Sequence, residues 1–442
     1  MTTSSKHPET LALHGGSYRK DPTTNAVAVP IYQTTSFEFN STEHAGNLFA
    51  LKELGNIYSR IMNPTNAVLE ERLAAIEGGA AALAVSSGQA ASALSIQNVA
   101  QAGDNIVCST DIYGGTWNLF NNTLRAQGID VRFADPSDPE NFKKLTDDKT
   151  RAYYAETLPN PKLSVFPIEE VANIGRPLGI PLIVDNTAAP LSCKPFEYGA
   201  AVVMHSMTKW IGGHGTSIGG IIIDGGNFDW TANPDRQPLF NQPDASYHGA
   251  VWGDVVPQIF GVQIAFAIRA RVVMLRDLGA AIAPQNSFNL IQGLETLPLR
   301  LKQHNSNAEQ VADFLKAHEQ ISKITFPKFA QGKSKENADK YLNGNYGSMI
   351  GIELKNGVQG GKAFIDALEL HYHVANIGDA RSLAIHPAST THSQLTPDEQ
   401  LKAGVTPGYV RLCVGLEHAE DIINDLKIGL DAASKVSTSE AA

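Results

Sequence analysis

The segment SMTKWIGGHG, residues 206 to 215, sets Lys209 between hydroxyl residues and a cluster of glycines. It follows the apolar run AVVMHS, so Lys209 falls just beyond the carboxyl end of an expected buried strand, where open α/β sheets hold their ligands. A lysine at a strand end is commonly a solvated surface cation. Partly desolvated, the same amine has a lowered pKa and can form a Schiff base with a carbonyl. Ser206, Thr208 and the neighbouring glycines can bind a phosphate through hydroxyls and main-chain N–H groups, although the GK[ST] order of a Walker loop is missing.

Five further segments could complete such a site. In IPLIVDNT, Asp185 ends an almost uninterrupted apolar run. It is a turn or cap aspartate, or the buried carboxylate that keeps a pyridine nitrogen protonated and makes the ring an electron sink. In AALAVSSGQAASALSIQNV a strand passes through Ser-Ser-Gly into a helix of small residues. That is an ordinary serine cap, or an anion seat built from the N–H groups of Gly88 and Gln89 at the helix start. DIYGGT puts Tyr113 at another strand end beside glycines, either as a packing ring or as one that stacks on a flat cofactor and shares in proton transfer. Tyr58 and Arg60, two apart in the extended segment NIYSRIMNPT, point to the same side. The arginine is a solvated charge or an anion ligand offered at a subunit boundary. In GYVRLCVGLEH, Arg411 interrupts an apolar strand, as half of a structural ion pair or as a clamp that grips a carboxylate through two parallel hydrogen bonds.

No one of these segments decides the matter. Together they supply a Schiff-base lysine, a ring-nitrogen acid, a stacking tyrosine, phosphate donors and a carboxylate clamp, which are the parts for pyridoxal phosphate (PLP) chemistry on an amino acid.

The elements that must position them are legible in the same chain. With 442 residues, 43% of them hydrophobic, it can bury large cores and favours two or three domains. Between residues 69 and 280, short runs rich in Val and Ile alternate with helix-length segments: AALAVSS, DNIVCST, IDVRFA, RAYYAET, IPLIVDN, AVVMHS and GGIIID. This is the pattern of a mostly parallel sheet with helices on both faces. From residue 281 a long helical stretch begins, with Phe288, Ile291, Leu294 and Leu297 at three-residue intervals. KITFP, GSMIGIELK and YVRLCVG then read as strands of a smaller α+β domain reaching to residue 442. Residues 1–68 form no core of their own and read as an arm. Asn63-Pro64 should start a helix whose buried face carries Leu69, Leu73 and Ile76. The insertion between Asp224 and Val255 has no clear periodicity, and its Trp230, Phe240, Tyr247 and Trp252 imply an ordered excursion. The tail SKVSTSEAA is too polar and small to pack.

The formal charge of −10 is spread along the chain with no basic block, which argues against nucleic acid or anionic lipid as partner. The N-terminal segment lacks the apolar core of a signal peptide, and no segment has the uncharged span of a membrane helix, so a cytoplasmic enzyme is expected. Cys108, Cys193 and Cys413 lie far apart and suggest neither a disulfide framework nor a metal site.

The order YSRIMNPT, AVSSGQAA, YGGT, ETLPNP, VDNT, SMTKWIGGHG, HPAST and RLCVGLEH resembles the Cys/Met-metabolism family of PLP-dependent enzymes over nearly the full chain. The resemblance implies fold type I, with a large domain around a mostly parallel seven-stranded sheet. It implies that Lys209 carries the cofactor, Asp185 pairs with the ring nitrogen, and Gly88, Gln89, Ser206 and Thr208 hold the phosphate with Tyr58 and Arg60 of a neighbouring subunit. Tyr113 would stack on the ring and assist proton transfer, with Asn160 near the cofactor's phenolic oxygen and Thr187 beside it. Arg411, with Asn160, would bind the substrate α-carboxylate, and Ser382, in GDARSL, would lie near substrate and Lys209. VDNTAAP departs from the family's more frequent VDNTF, which leaves the packing beside Thr187 open.

LFALKELGNIYSR, YGGT, GDARSL and the insertion after Lys209 are similar to the O-acetylhomoserine sulfhydrylase branch, usually a homotetramer. That branch implies γ-replacement, in which O-acetyl-L-homoserine and sulfide or a thiol give homocysteine and acetate for methionine biosynthesis. A γ-lyase and a cystathionine γ-synthase are the nearest alternatives, and a PLP-binding protein without turnover is the alternative of a different class.

Overall fold

The computed structural model describes residues 5–394 and 396–436. Most of the polar tail, from residue 437, lies outside the described residues.

Each of the seven apolar runs forms a strand: β1 Ala81–Val85, β2 Asn105–Ser109, β3 Asp130–Ala134, β4 Thr150–Glu156, β5 Leu182–Asp185, β6 Val202–Ser206 and β7 Gly220–Asp224. They pair in the order β1-β7-β6-β5-β4-β2-β3. The strands from β6 to β3 run parallel, and only β7 is antiparallel to its neighbours. β2, β4 and β7 are buried at every position, which is why they read as continuous apolar runs. Because the parallel strands share one direction, their last residues, Ser109, Glu156, Asp185 and Ser206, come out along one edge of the sheet.

Helices cover both faces. On one, Pro64–Glu77 buries Leu69, Leu73 and Ile76 as expected. It starts where Asn63 accepts the N–H of Thr65 with Pro64 in the first turn, and it ends at Gly78, whose φ of 82° is one that glycine adopts freely. On the other face Gly88–Gln97 buries Ala91, Leu94 and Ile96.

The insertion is ordered and packs inward. Trp230, Phe240 and Trp252 are fully buried, with Trp230 stacked on Phe240 at 4.4 Å and on Phe266 at 5.3 Å. Among the described residues no single helix is long and apolar enough to cross a membrane. The bent pair Trp252–Phe260 and Ala265–Leu278 qualifies by length and composition, but buries Trp252, Phe266 and Leu275 inside the fold.

The helical stretch after residue 281 is two helices, Pro284–Glu295 and Leu297–Lys316. Pro298 sits in the first turn of the second helix, where its missing N–H costs nothing, and Thr296 makes the break with φ −106° and ψ 2°. Ile291, Leu294 and Leu297 are buried but Phe288 is only half-buried. Phe288, Ile291 and Leu294 lie on the first helix, where positions three apart step back by about 60° each, so Phe288 falls at the edge of the face that Ile291 and Leu294 bury.

The second sheet, in the order β10-β11-β12-β9-β8, contains β8 Ile321–Thr325, β9 Met349–Leu354, β10 Tyr372–His373, β11 Leu383–Ile385 and β12 Tyr409–Cys413. β10 and β11 are too short to have shown a period in the sequence. Ile350, Ile352, Val410 and Leu412 of this sheet pack with Leu426 of helix Ala419–Ser434 in a separate core. Toward the N-terminus, helix Pro8–His14 lies on Pro64–Glu77 with Ala12 buried, while Val27, Phe49 and Leu54 remain exposed.

Candidate active site

A cavity of about 230 Å³ opens where the carboxyl ends of the parallel strands meet β12, Ala375 and Ile377. Of the residues singled out in the sequence, Gly88, Gln89, Tyr113, Asn160 and Asp185 line it, as do Thr187, Ser206, Thr208, Lys209 and Arg411.

Sheet register explains the phosphate side. Val85 of β1 and Ser206 of β6 both stand opposite Gly220 of the intervening β7. The turn after β1 therefore brings the start of helix Gly88–Gln97 onto Ser206. A Cβ on Gly88 would come within 2.6 Å of the Ser206 Cβ, so glycine is required there. Ser87 caps the helix by accepting the N–H of Ala90 at 3.1 Å, leaving the N–H groups of Gly88 and Gln89 at the positive end of the helix. Thr208 is held by Gly219, whose N–H reaches its hydroxyl at 3.1 Å.

Asp185 ends β5 at the cavity floor. Burial pushes its carboxyl above the usual carboxylate range, while bonds from Thr187 oppose that rise. The N–H of Thr187 donates to Asp185 at 2.9 Å, and the Thr187 hydroxyl accepts the N–H of Ser206 at 2.7 Å. Thr187 thus ties the Asp185 turn to the strand end that leads to Lys209, which places it in VDNTAAP as a brace.

Lys209 lies in the turn after β6 with its amine partly withdrawn from water. Burial lowers its pKa, and the positive charge of Arg411 lowers it further. Its Nζ donates to Oδ1 of Asn376 at 2.6 Å. Arg411 is 8% exposed, and its Nη2 donates to the main-chain oxygen of the same Asn376 at 2.9 Å. The Arg411 Nε is buried and has no partner among the described residues. A buried guanidinium with a free N–H calls for an anionic ligand.

Two expectations are not met within the chain. Ser382 does not line the cavity: it is fully buried, and its hydroxyl donates to Glu417 at 2.8 Å and accepts the N–H of Gly415 at 2.9 Å. The residue of this loop that reaches Lys209 is Asn376. A Cβ on Gly378, which has φ 72°, would meet the Trp210 backbone at 2.6 Å, so the loop can press onto the Lys209 turn only with glycine there. Tyr58 and Arg60 also lie outside this cavity; Tyr58 is 40% exposed and the Arg60 guanidinium sits 5.5 Å from its ring centroid.

The sequence reading also missed Glu156, which lines the cavity beside Asp185. Its place in ETLPNP, at the carboxyl end of an apolar run, was the available signal. A larger groove of about 500 Å³, between residues 161–164 and the outer face of β8 and β9, contains none of the residues singled out above.

These residues suit a PLP cofactor on three counts: a partly desolvated amine, a half-buried carboxyl with no ion pair to a basic side chain of the described residues, and a helix start open to a phosphate.

Residues 9–431 match the family of Cys/Met metabolism PLP-dependent enzymes, and the chain belongs to that family. It is 54% identical to an O-acetyl-L-homoserine sulfhydrylase of Leptospira meyeri, over 96% of each chain. It is 50% identical to O-acetyl-L-homoserine sulfhydrylase 1 of Thermus thermophilus, over 96% of this chain and 99% of that one. The fold matches a crystal structure from Campylobacter jejuni, described as an O-acetylhomoserine (thiol)-lyase, with a TM-score of 0.91 and 41% identity. The match covers 96% of this chain and 100% of that one, and that structure carries pyridoxyl phosphate on a lysine. The architecture is therefore α/β of fold type I, with PLP as cofactor.

Proposed function

We propose that the protein catalyses γ-replacement on O-acetyl-L-homoserine, in which hydrosulfide displaces acetate from Cγ to give L-homocysteine. The observation that carries this reading is the convergence of the Lys209 amine, the Asp185 carboxyl and the Arg411 guanidinium, whose Nε has no partner among the described residues, in one cavity. Relatives named as sulfhydrylases and, at 44% identity, a homocysteine synthase of Schizosaccharomyces pombe support the choice of reaction.

When bound, PLP supplies an electron sink that makes protons of the attached amino acid removable. Lys209 would carry it, Asp185 would face the ring nitrogen, and Gly88, Gln89, Ser206 and Thr208 would hold its phosphate. Tyr113 would cover the ring, and Asn160 and Thr187 would border it. Lys209, made less basic by burial and by Arg411, is suited to take a proton from Cα and return it. Arg411 would hold the α-carboxylate and so fix which hydrogen faces that amine. Among the described residues, the Lys and Arg side chains lining the cavity are Lys209 and Arg411, and its other walls include Leu158, Ile218 and Ile377.

Tyr58 and Arg60, exposed and outside the cavity of their own chain, fit an assembly in which they complete the site of a second copy, in a homotetramer. The three buried, unpaired cysteines agree with a cytoplasmic setting.

The test is a product assay on PLP-loaded protein with O-acetyl-L-homoserine, with and without sulfide. Homocysteine and acetate formed only with sulfide support the reading. 2-Oxobutanoate and ammonia formed regardless of sulfide would make the enzyme a γ-lyase.

A further inference from the structure

Glu156 is an acidic side chain in an unusual place. It ends β4 as the Cα partner of Asp185 across the parallel β4–β5 pair, is 7% exposed and lines the same cavity. The charges that bear on it most are Asp185 and Asp111, both acidic. Asp111 is itself engaged, with Lys162 at 2.6 Å and with Ser164 at 3.0 Å. Burying a carboxyl beside another carboxyl is costly unless the group does something there.

Glu156 accepts a main-chain hydrogen bond: its Oε1 takes the N–H of Tyr113 at 2.6 Å, and the Asn160 N–H bears on the same carboxyl and favours its charged form. These two amides belong to the segments that leave β2 and β4, and both segments present a side chain to the cavity. Tyr113 has 51% of its surface exposed, so packing of the ring does little to hold it. Its main-chain N–H is tied to Glu156.

We propose that Glu156 is a positioning residue of the cofactor cavity, its carboxyl tying the Tyr113 segment to the strand end beside Asp185. This rests on the PLP reading of the cavity. Burial and Asp185 push the Glu156 carboxyl well above the usual range, which agrees with its holding a proton and serving as acceptor rather than as counter-ion. That leaves Asp185 as the carboxylate that faces a ring cation.

The experiment compares PLP-loaded wild type with Glu156→Gln and Glu156→Ala. It reads visible circular dichroism of the bound cofactor, kcat and KM for O-acetyl-L-homoserine, and thermal melting. Gln keeps a carbonyl acceptor and Ala keeps none. The expected result is that Glu156→Ala changes the cofactor ellipticity and lowers kcat about tenfold or more with KM within about threefold, while Glu156→Gln restores most of both. Unchanged ellipticity and kcat in Glu156→Ala would overturn the proposal. Equal losses in the two variants would also overturn it, as would a fall in melting temperature that alone accounts for the lost activity. The ellipticity does not depend on which ester or nucleophile is turned over, so a wrong choice of reaction would leave that readout standing.

Discussion

Asn376 holds both ends of the chemistry at once: its side-chain oxygen lies 2.6 Å from the Lys209 amine and its main-chain oxygen lies 2.9 Å from the Arg411 guanidinium. One residue of a loop thus sets the spacing between the group that moves protons and the group that fixes the substrate. Asn376→Ala removes the first bond and leaves the second. A hydrogen bond to a charged group contributes about 1.5–3 kcal/mol when buried, and less in an open cavity. The expected outcome is a fall in kcat of roughly tenfold and a slower uptake of PLP by the cofactor-free protein, with KM little changed. Stopped-flow absorbance during PLP loading and steady-state kinetics check it.

Lys209→Ala should lose turnover by about three orders of magnitude or more, since among the described residues no other lysine lines the cavity. Borohydride reduction followed by mass spectrometry should fix the cofactor to wild type and leave Lys209→Ala unlabelled. Turnover within tenfold of wild type would remove Lys209 from the mechanism.

Arg411→Lys should raise KM for the amino acid by about 10–100-fold, because an ammonium cannot make the two parallel bonds that a guanidinium makes to a carboxylate. Burial of the site adds to that cost. Since Arg411 also depresses the Lys209 pKa, and Lys209 must be unprotonated to take the Cα proton, Arg411→Met should shift the acidic limb of the kcat profile upward. A KM equal to that of wild type in both variants would exclude the clamp.

Asp425 gives a stability prediction away from the cavity. It accepts the main-chain N–H groups of Glu369 and His371 at 2.7 and 3.0 Å, and the His371 ring at 2.6 Å. These bonds hold its carboxyl well below the usual range. A depressed acid contributes stability that is present above the unfolded value of about 4 and is lost as pH falls through the folded value. Asp425→Asn should therefore destabilise by about 2–3 kcal/mol at pH 7, and the gap should narrow as pH falls below about 4.5. Urea unfolding of wild type and variant from pH 7 down to about pH 2.5 measures it; a gap independent of pH over that span would rule out the charge.

The parallel strands were legible because strands covered on both faces carry no polar alternation, so AVVMHS and IPLIVDN stand out as short runs of apolar residues. Their last residues were legible for the same reason: a polar group that ends such a run stands at the sheet edge, where ligands bind. Asp185, Lys209 and the helix start at Gly88 needed nothing beyond that pattern and the order of the motifs. Asn376 and Glu156 were not legible, because their roles depend on register and loop path. Glu156 matters through its pairing with Asp185, 29 positions away, which only the sheet specifies. In the GDARSL loop attention fell on Ser382, yet Gly378 lets the backbone close against Trp210, so Asn376 reaches the amine while Ser382 turns toward Glu417. The chemistry of this protein was thus determined by which residue types end its apolar strands, a local property that the chain carries in its order. The distances that make the chemistry work were decided by contacts between segments far apart in sequence, because hydrogen bonds and packing act on proximity in space and not on position along the chain.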